Sequence, residues 1–340
     1  MAGGIAGNSA GRTLALIVRI AGRCSACVAL VAVILPVVGT NTADAGSSVL
    51  RTVASFDRST GQTPENLAIE SDGDVVVSLS FAGELVDVAP NGSRSFVTLP
   101  TGGGLTVGVV ADIAHGGDLD VAVESAEASD AGLWRVPLAA FRNPDAQPYR
   151  IAALPTSSFP NGMAFDAEGN LYIADSTRGA IWRLARGSST PTIWSSSPLF
   201  VPTGASFGGL ALPGANGLKV FQGSVYTSNT STSEILAVPI LPGGAAGAVS
   251  VRERIPEPDD FAIAPDGSMF VAENVPDKFV HVSPSGRVTT MFTAADGISN
   301  PSAALFSPVR GQAHDLYITN SAYFGDAPSL QMTPIDGLGV

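Results

Sequence analysis

The stretch Pro160-Asn161-Gly162-Met163-Ala164-Phe165-Asp166-Ala167-Glu168-Gly169-Asn170-Leu171-Tyr172-Ile173-Ala174-Asp175 decides the fold. Apolar residues two and four places after Asn161, a glycine eight places after it and a second β-rich run read as a hairpin of two strands. The same order returns at Pro64-Glu65-Asn66-Leu67-Ala68-Ile69, Ala215-Asn216-Gly217-Leu218-Lys219-Val220 and Pro258-Asp259-Asp260-Phe261-Ala262-Ile263. Gly73 and Gly267 keep the spacing of Gly169, and Gly223 comes one residue early. Third runs follow at Leu85–Val88, Ile181–Leu184, Ile235–Val238 and Phe279–Val282, and fourth runs at Ser95–Leu99, Thr192–Trp194 and Val288–Phe292. The unit is a four-stranded antiparallel meander, and units of roughly 40 to 55 residues with four strands each are propeller blades.

The wide gap between positions 65 and 161 holds a further unit at Val109–Ile113, Leu119–Val123 and Leu133–Val136, and a last one begins at Asn300-Pro301-Ser302-Ala303-Ala304-Leu305. Six blades result, which predicts an all-β, six-bladed β-propeller. The last unit lacks a fourth strand, whereas Val49–Phe56 precedes the first with no partner there. The N-terminal strand is therefore expected to complete the sixth blade and close the ring, which also covers an open sheet edge.

Composition agrees. Of 340 residues, 38 are glycine and 24 proline, the residues of many turns, and only 14% are charged, which excludes a coiled coil. The net charge of -12, with no run of Lys or Arg, argues against nucleic-acid binding.

Residues 1–45 differ from the rest. Arg12, Arg19 and Arg23 precede the apolar run Ala26–Val38, and Ala43-Asp44-Ala45 precedes Gly46. This is the order of a secretory signal peptide, too short and proline-interrupted for a permanent span, so residues 46–340 are expected to be an exported propeller domain with no membrane helix. Cys24 and Cys27, the only cysteines, belong to the segment removed. The alternative is an uncleaved anchor.

Glu65, Asn161, Asn216 and Asp259 occupy one repeat position, the start of the strand that lines a propeller channel. Pseudo-symmetry should gather them at one end of that channel. Two carboxylates and two amide oxygens form a hard donor set suited to Ca²⁺ or another hard divalent cation. These residues, with the P-E, P-N-G, A-N-G-L and P-D patterns and the G-x-L-x-[IV]-A endings, resemble the six-bladed calcium propellers of the SMP-30/gluconolactonase, diisopropylfluorophosphatase and paraoxonase group, over essentially all of residues 49–340. The resemblance implies a catalytic calcium held by Glu65, Asn161, Asn216 and Asp259, with Asp259 also the base or nucleophile, and a lactone or ester as small-molecule substrate. Two departures bear on the substrate and mechanism. Phe159 stands where the sugar-lactonase branch has an arginine, which favours a more apolar lactone or ester. Val109 is aligned with the metal-facing histidine of the paraoxonase branch, which argues against a histidine-dependent mechanism. Asp260 replaces the glycine that follows the channel residue, and reads equally as an acid behind the site or a solvated turn residue.

The remaining motifs read as structural. His281 is expected at the surface, and His115 and His314 at hairpin turns away from the metal end. Gly204-Ala205-Ser206-Phe207-Gly208 matches a nucleophile elbow in letters, but no helix follows it. Trp134, Trp182 and Trp194 fall in outer-strand patterns and should pack between blades. The alternative function is a non-catalytic binding propeller with a structural calcium, which a loop-covered or apolar channel mouth would favour.

Overall fold

The computed structural model describes residues 49–112, 116–325 and 327–335. Residues 1–45, read above as a signal peptide, with their two cysteines, and His115 fall outside them. Six four-stranded antiparallel sheets form the blades, each a meander from an inner to an outer strand. The inner strands are Pro64–Ile69, Leu105–Asp112, Pro160–Phe165, Ala215–Phe221, Pro258–Ile263 and Pro301–Phe306. Each touches the next, and the last touches the first, so the ring is closed. In the sixth blade the outermost strand is Arg51–Ser55, paired antiparallel with Ser329–Pro334, as the sequence predicts.

The core is divided rather than central. Six apolar clusters lie one at each blade interface, for example Val77 and Leu79 of blade one against Tyr317 and Leu330 of blade six. Strands covered on both faces need few charges, which explains the composition. The three tryptophans take part in these interfaces: Trp182 is buried between blades two and three, and Trp134 and Trp194 pack against neighbouring clusters. Trp194 also meets Tyr172 edge-on at 4.8 Å.

Every inner strand breaks register near its start. Pro64 and Leu67 pair with Leu79 and Val77, and the irregularity recurs at Thr106/Val109, Pro160/Met163, Ala215/Leu218, Pro258/Phe261 and Pro301/Ala303. A bulge takes residues out of the ladder and re-aims their side chains. The bulged residues are those of the repeat position. This ladder corrects the second blade: its inner strand starts at Leu105, the residue equivalent to Glu65 is Val107, and Val109 packs in the core between blades one and two. The second unit lacks the polar residue of the repeat position, and Thr106 stands where four of the other five units have proline, so its apolar run alone sets no phase.

Candidate functional site

The bulges bring Glu65, Val107, Asn161, Asn216 and Asp259 around one end of the channel, where all five line a cavity of about 290 Å³. A ring of hydroxyls fixes this end. Ser78 Oγ donates to Val107 O at 2.6 Å and Thr319 Oγ1 to Glu65 O at 3.2 Å, while Ser228 Oγ donates to Asp259 O. One residue beyond the second strands, Ser176 Oγ donates to Ala215 O at 2.8 Å, Thr230 Oγ1 to Pro258 O at 2.7 Å and Ser321 Oγ to Pro64 O at 2.5 Å. Each bond runs from one blade to the inner strand of the next, so the ring of site residues is held by neighbours as well as by its own blade.

The amides are oriented by the same residues. Asn216 Nδ2 donates to Thr230 Oγ1 at 2.9 Å and to Asp259 Oδ1 at 2.7 Å, and Asn274 Nδ2 donates to Asp259 Oδ2 at 2.8 Å. Asn161 Nδ2 approaches Ser176 Oγ at 3.4 Å. Turning the Asn216 NH₂ toward Thr230 and Asp259 leaves its Oδ1 buried without a partner, and Glu65 Oε2 is buried without one as well. Asn274 stands outside the repeat position shared by the four expected ligands. It belongs instead to the row Ser80, Ser176, Thr230, Asn274 and Ser321, each the residue that directly follows a second strand. Superposing the repeats on that second position would have revealed it.

The negative charge at this end is only partly offset, by Lys219. Burial, then the carboxylates of Asp259 and Asp260, hold Glu65 well above the usual carboxylate range. Burial and Asp260 do the same to Asp259, against the pull of the Asn216 and Asn274 amides. Tyr323, half-buried with its hydroxyl beside both acids and bonded to Ser321 and Ser80, is raised well above the ordinary phenol by desolvation first and then by Glu65 and Asp259.

Asp260 is neither a turn residue nor solvated. It is 2% exposed and paired with Lys219, whose Nζ lies 2.5 Å from Oδ2 and 2.7 Å from Oδ1. The Asn66 side chain also bonds it. Asn66 and Lys219 also line a second cavity of about 590 Å³, together with residues toward the far ends of the inner strands, among them Ile69, Phe165 and Leu305. The glycine opposite is required by the Asp260–Lys219 pair: a Cβ on Gly217 would lie 2.5 Å from Asp260 Cα.

Among the described residues no three His, Cys, Asp or Glu side chains converge as a metal-holding group. A cation here would therefore rest on two carboxylates and amide oxygens, and the orphaned oxygens of Glu65 and Asn216 fit that donor set. His281, expected at the surface, is half-buried with its ring 4.8 Å from Phe270, and burial lowers its pKa. His314 is exposed just before a second strand. The Gly204–Gly208 motif lies in a small hairpin, Ser206–Phe207 with Leu210–Ala211, outside the blades and without a helix.

No protein-family model and no curated protein matches this chain. Solved structures do. A gluconolactonase from Xanthomonas campestris aligns with a TM-score of 0.62 at 16% identity, over 85% of this chain and 90% of its own. A luciferin-regenerating enzyme gives 0.65 at 13%, over 86% and 96%. Virginiamycin B lyase from Staphylococcus aureus gives 0.54 at 14%, over 80% and 82%. In fold, the chain is a gluconolactonase-like six-bladed β-propeller.

Proposed function

We propose that this chain is an exported, divalent-cation-dependent hydrolase of ester or lactone bonds, with Glu65, Asn161, Asn216 and Asp259 holding the cation. The donor chemistry favours calcium. One observation carries the reading: residues from four blades meet at one cavity with buried oxygens, Glu65 Oε2 and Asn216 Oδ1, that no protein group satisfies. A buried carboxylate pair with raised pKa values is stabilised by a positive charge between them. Bound there, such a cation supplies polarisation of a carbonyl oxygen and a more acidic water. The protein's own part is positional. Asn216 and Asn274 clamp both oxygens of Asp259, which keeps that carboxylate oriented to take a proton from an attacking water. The propeller neighbours include a lyase as well as a gluconolactonase, so the reaction type is argued from the site and not from the fold. The order Arg12, Arg19, Arg23, Ala26–Val38 and Ala43-Asp44-Ala45 supports export.

The test is calorimetric titration with calcium coupled to a lactone and aryl-ester screen, on protein recovered from the extracytoplasmic fraction, whose chain should begin at Gly46. Glu65→Ala and Asp259→Ala should each abolish calcium binding and lower chelator-sensitive turnover by at least about 100-fold, a loss comparable to removing one electrostatic stabiliser of the transition state. Full activity in both variants would sink the proposal. The apolar, covered mouth of the cavity also favours the second reading, a binding propeller stapled by calcium, in which calcium raises the melting temperature and no substrate turns over.

A further inference from the structure

One segment does not belong to any blade. Between the third and fourth blades the chain leaves the ring after Phe200, forms the hairpin Ser206–Phe207/Leu210–Ala211, and returns through Leu212 and Pro213 to the inner strand at Ala215. Its feet are tied down, with Thr203 N donating to Ser231 Oγ at 3.0 Å, Ser231 N to Pro213 O at 2.9 Å and Gly214 N to Ser176 O at 2.9 Å. Its tip reaches blade six, which adjoins neither blade three nor blade four. Phe207 meets Phe324 edge-on with ring centroids 5.1 Å apart, and Gly208 lies so close to the same ring that a Cβ there would stand 2.7 Å from Cδ1. The Gly208 φ of +55° adds a second reason for glycine. Phe324 is itself held, because Arg58 Nη1 donates to Gly325 O at 2.7 Å and Nη2 to Tyr323 O at 2.6 Å. The hairpin is a strap across the mouth of the channel.

The strap changes what the cavity accepts. Glu65 and Asp259 are the only charged residues among the described lining, so a carboxylate or phosphate on a substrate finds no cationic side chain. The polar lining residues lie at the channel floor, where Asn216, Thr230, Asn274 and Asp259 already bond one another. Above them the walls are Leu105, Phe159 and Val275, and the strap side contributes Phe207 and Leu210 facing Phe324. The two oxygens left unpaired there, Glu65 Oε2 and Asn216 Oδ1, belong to the proposed cation site, so a polyhydroxylated substrate would lose most of its water against the apolar walls without replacement, at a cost that disfavours it. Conversely, Phe81, Phe207, Leu210 and Phe324 remain 42–52% exposed around the opening, an apolar rim that an apolar group would cover.

We infer that the site takes a neutral lactone or ester bearing an apolar substituent, and that Phe207, Leu210 and Phe324 hold that substituent beneath the strap. This rests on the hydrolase reading for the bond cleaved, but not for the class of molecule bound. At about 290 Å³ the cavity is at the small end of ligand pockets, so the substituent is short.

Lactams, which share the ring but resist hydrolysis, separate binding from turnover. Calorimetry on the calcium-loaded, full-length mature protein would compare γ-butyrolactam, its 5-alkyl derivatives from methyl to octyl, glucono-δ-lactam and pyroglutamate. Affinity should rise roughly fourfold per methylene over the first few carbons, then level off as the cavity fills. The hydroxylated and carboxylated lactams should bind at least about tenfold more weakly than the hexyl derivative. Phe207→Ser with Leu210→Ser should flatten the series, with the melting temperature measured to show that the blades persist; should that variant not fold, the series on the unaltered protein decides. A flat series there, or preference for the hydroxylated or carboxylated probe, overturns the inference. The matching lactones distinguish the two claims: alkyl lactams bound with no lactone hydrolysed removes the hydrolase reading alone, whereas sugar lactones hydrolysed faster than alkyl ones removes this inference alone.

Discussion

Asp260 shows how much a single position carries. In the third and fourth blades the residue after the channel asparagine is Gly162 or Gly217, and in the fifth an acid enters the same crowded ring, 2% exposed. It is tolerable because Lys219 reaches it from the neighbouring blade at 2.5 Å, with its own side chain only 19% exposed. Removing one partner of such a pair strands the other. Lys219→Met should therefore lower the unfolding free energy by about 3 kcal/mol in urea titration. Adding Asp260→Gly, which gives the residue found in blades two, three and four, should recover most of the loss; no recovery would mean that Lys219 acts by packing rather than by charge. The four channel residues were legible in the sequence because one type of residue recurred at one phase of a repeat. Lys219 was not, since Leu218-Lys219-Val220 reads as an ordinary strand with one solvated face, and only the bulge before it turns the lysine inward.

At the level of elements, the strands and their order were readable wherever a hairpin glycine set the phase. Blade two shows the limit. Without a proline or polar marker its apolar run could be slid by two residues, and the sequence placed Val109 where the ladder puts Val107. The strap was unreadable for a different reason: two residues of pairing on each side give no periodicity, and its partner Phe324 lies in another blade. The closing strand was legible from counting alone. It follows that Arg51–Ser55 contributes through closure more than through its own burial, for Ala54 is its one buried residue. Deleting residues 49–56 would bare the edge of Ser329–Pro334, which carries Leu330 and Met332. Such an edge recruits other chains. The deletion should give concentration-dependent aggregation by light scattering at temperatures where the undeleted chain stays monodisperse; a monodisperse, equally stable product would show that the sixth blade needs no closure.

Across the whole molecule the acidic excess is not confined to the surface. Besides the channel acids, Glu70 is raised to about 7, by burial first and then by Asp87, Asp72 and Asp74. Asp87 is raised by burial and Asp74, and Glu273 by burial. Glu70 Oε1 and Asp87 Oδ1 are buried without a partner, and Arg142 serves this group through Asp74 at 3.0 Å and Asp87 at 3.5 Å. An acid whose pKa is higher folded than unfolded binds more protons in the native state, so stability falls as pH rises between the two values. For Glu70 that window runs from its ordinary 4.5 to about 7. The cation-free protein should accordingly melt at a lower temperature at pH 8 than at pH 5, opposite to proteins whose acids are salt-bridged. Calcium bound at Glu65 and Asp259 should remove the part of that slope due to the channel, while leaving the part due to Glu70 between blades one and two. Glu70→Gln should remove the latter, raising the melting temperature by a few degrees at pH 8 and by little at pH 5. Scanning calorimetry of both proteins at the two pH values, with and without calcium, checks all three statements, and a melting temperature that climbs toward pH 8 in chelator would contradict the upward shift that burial gives Glu70 and Asp87.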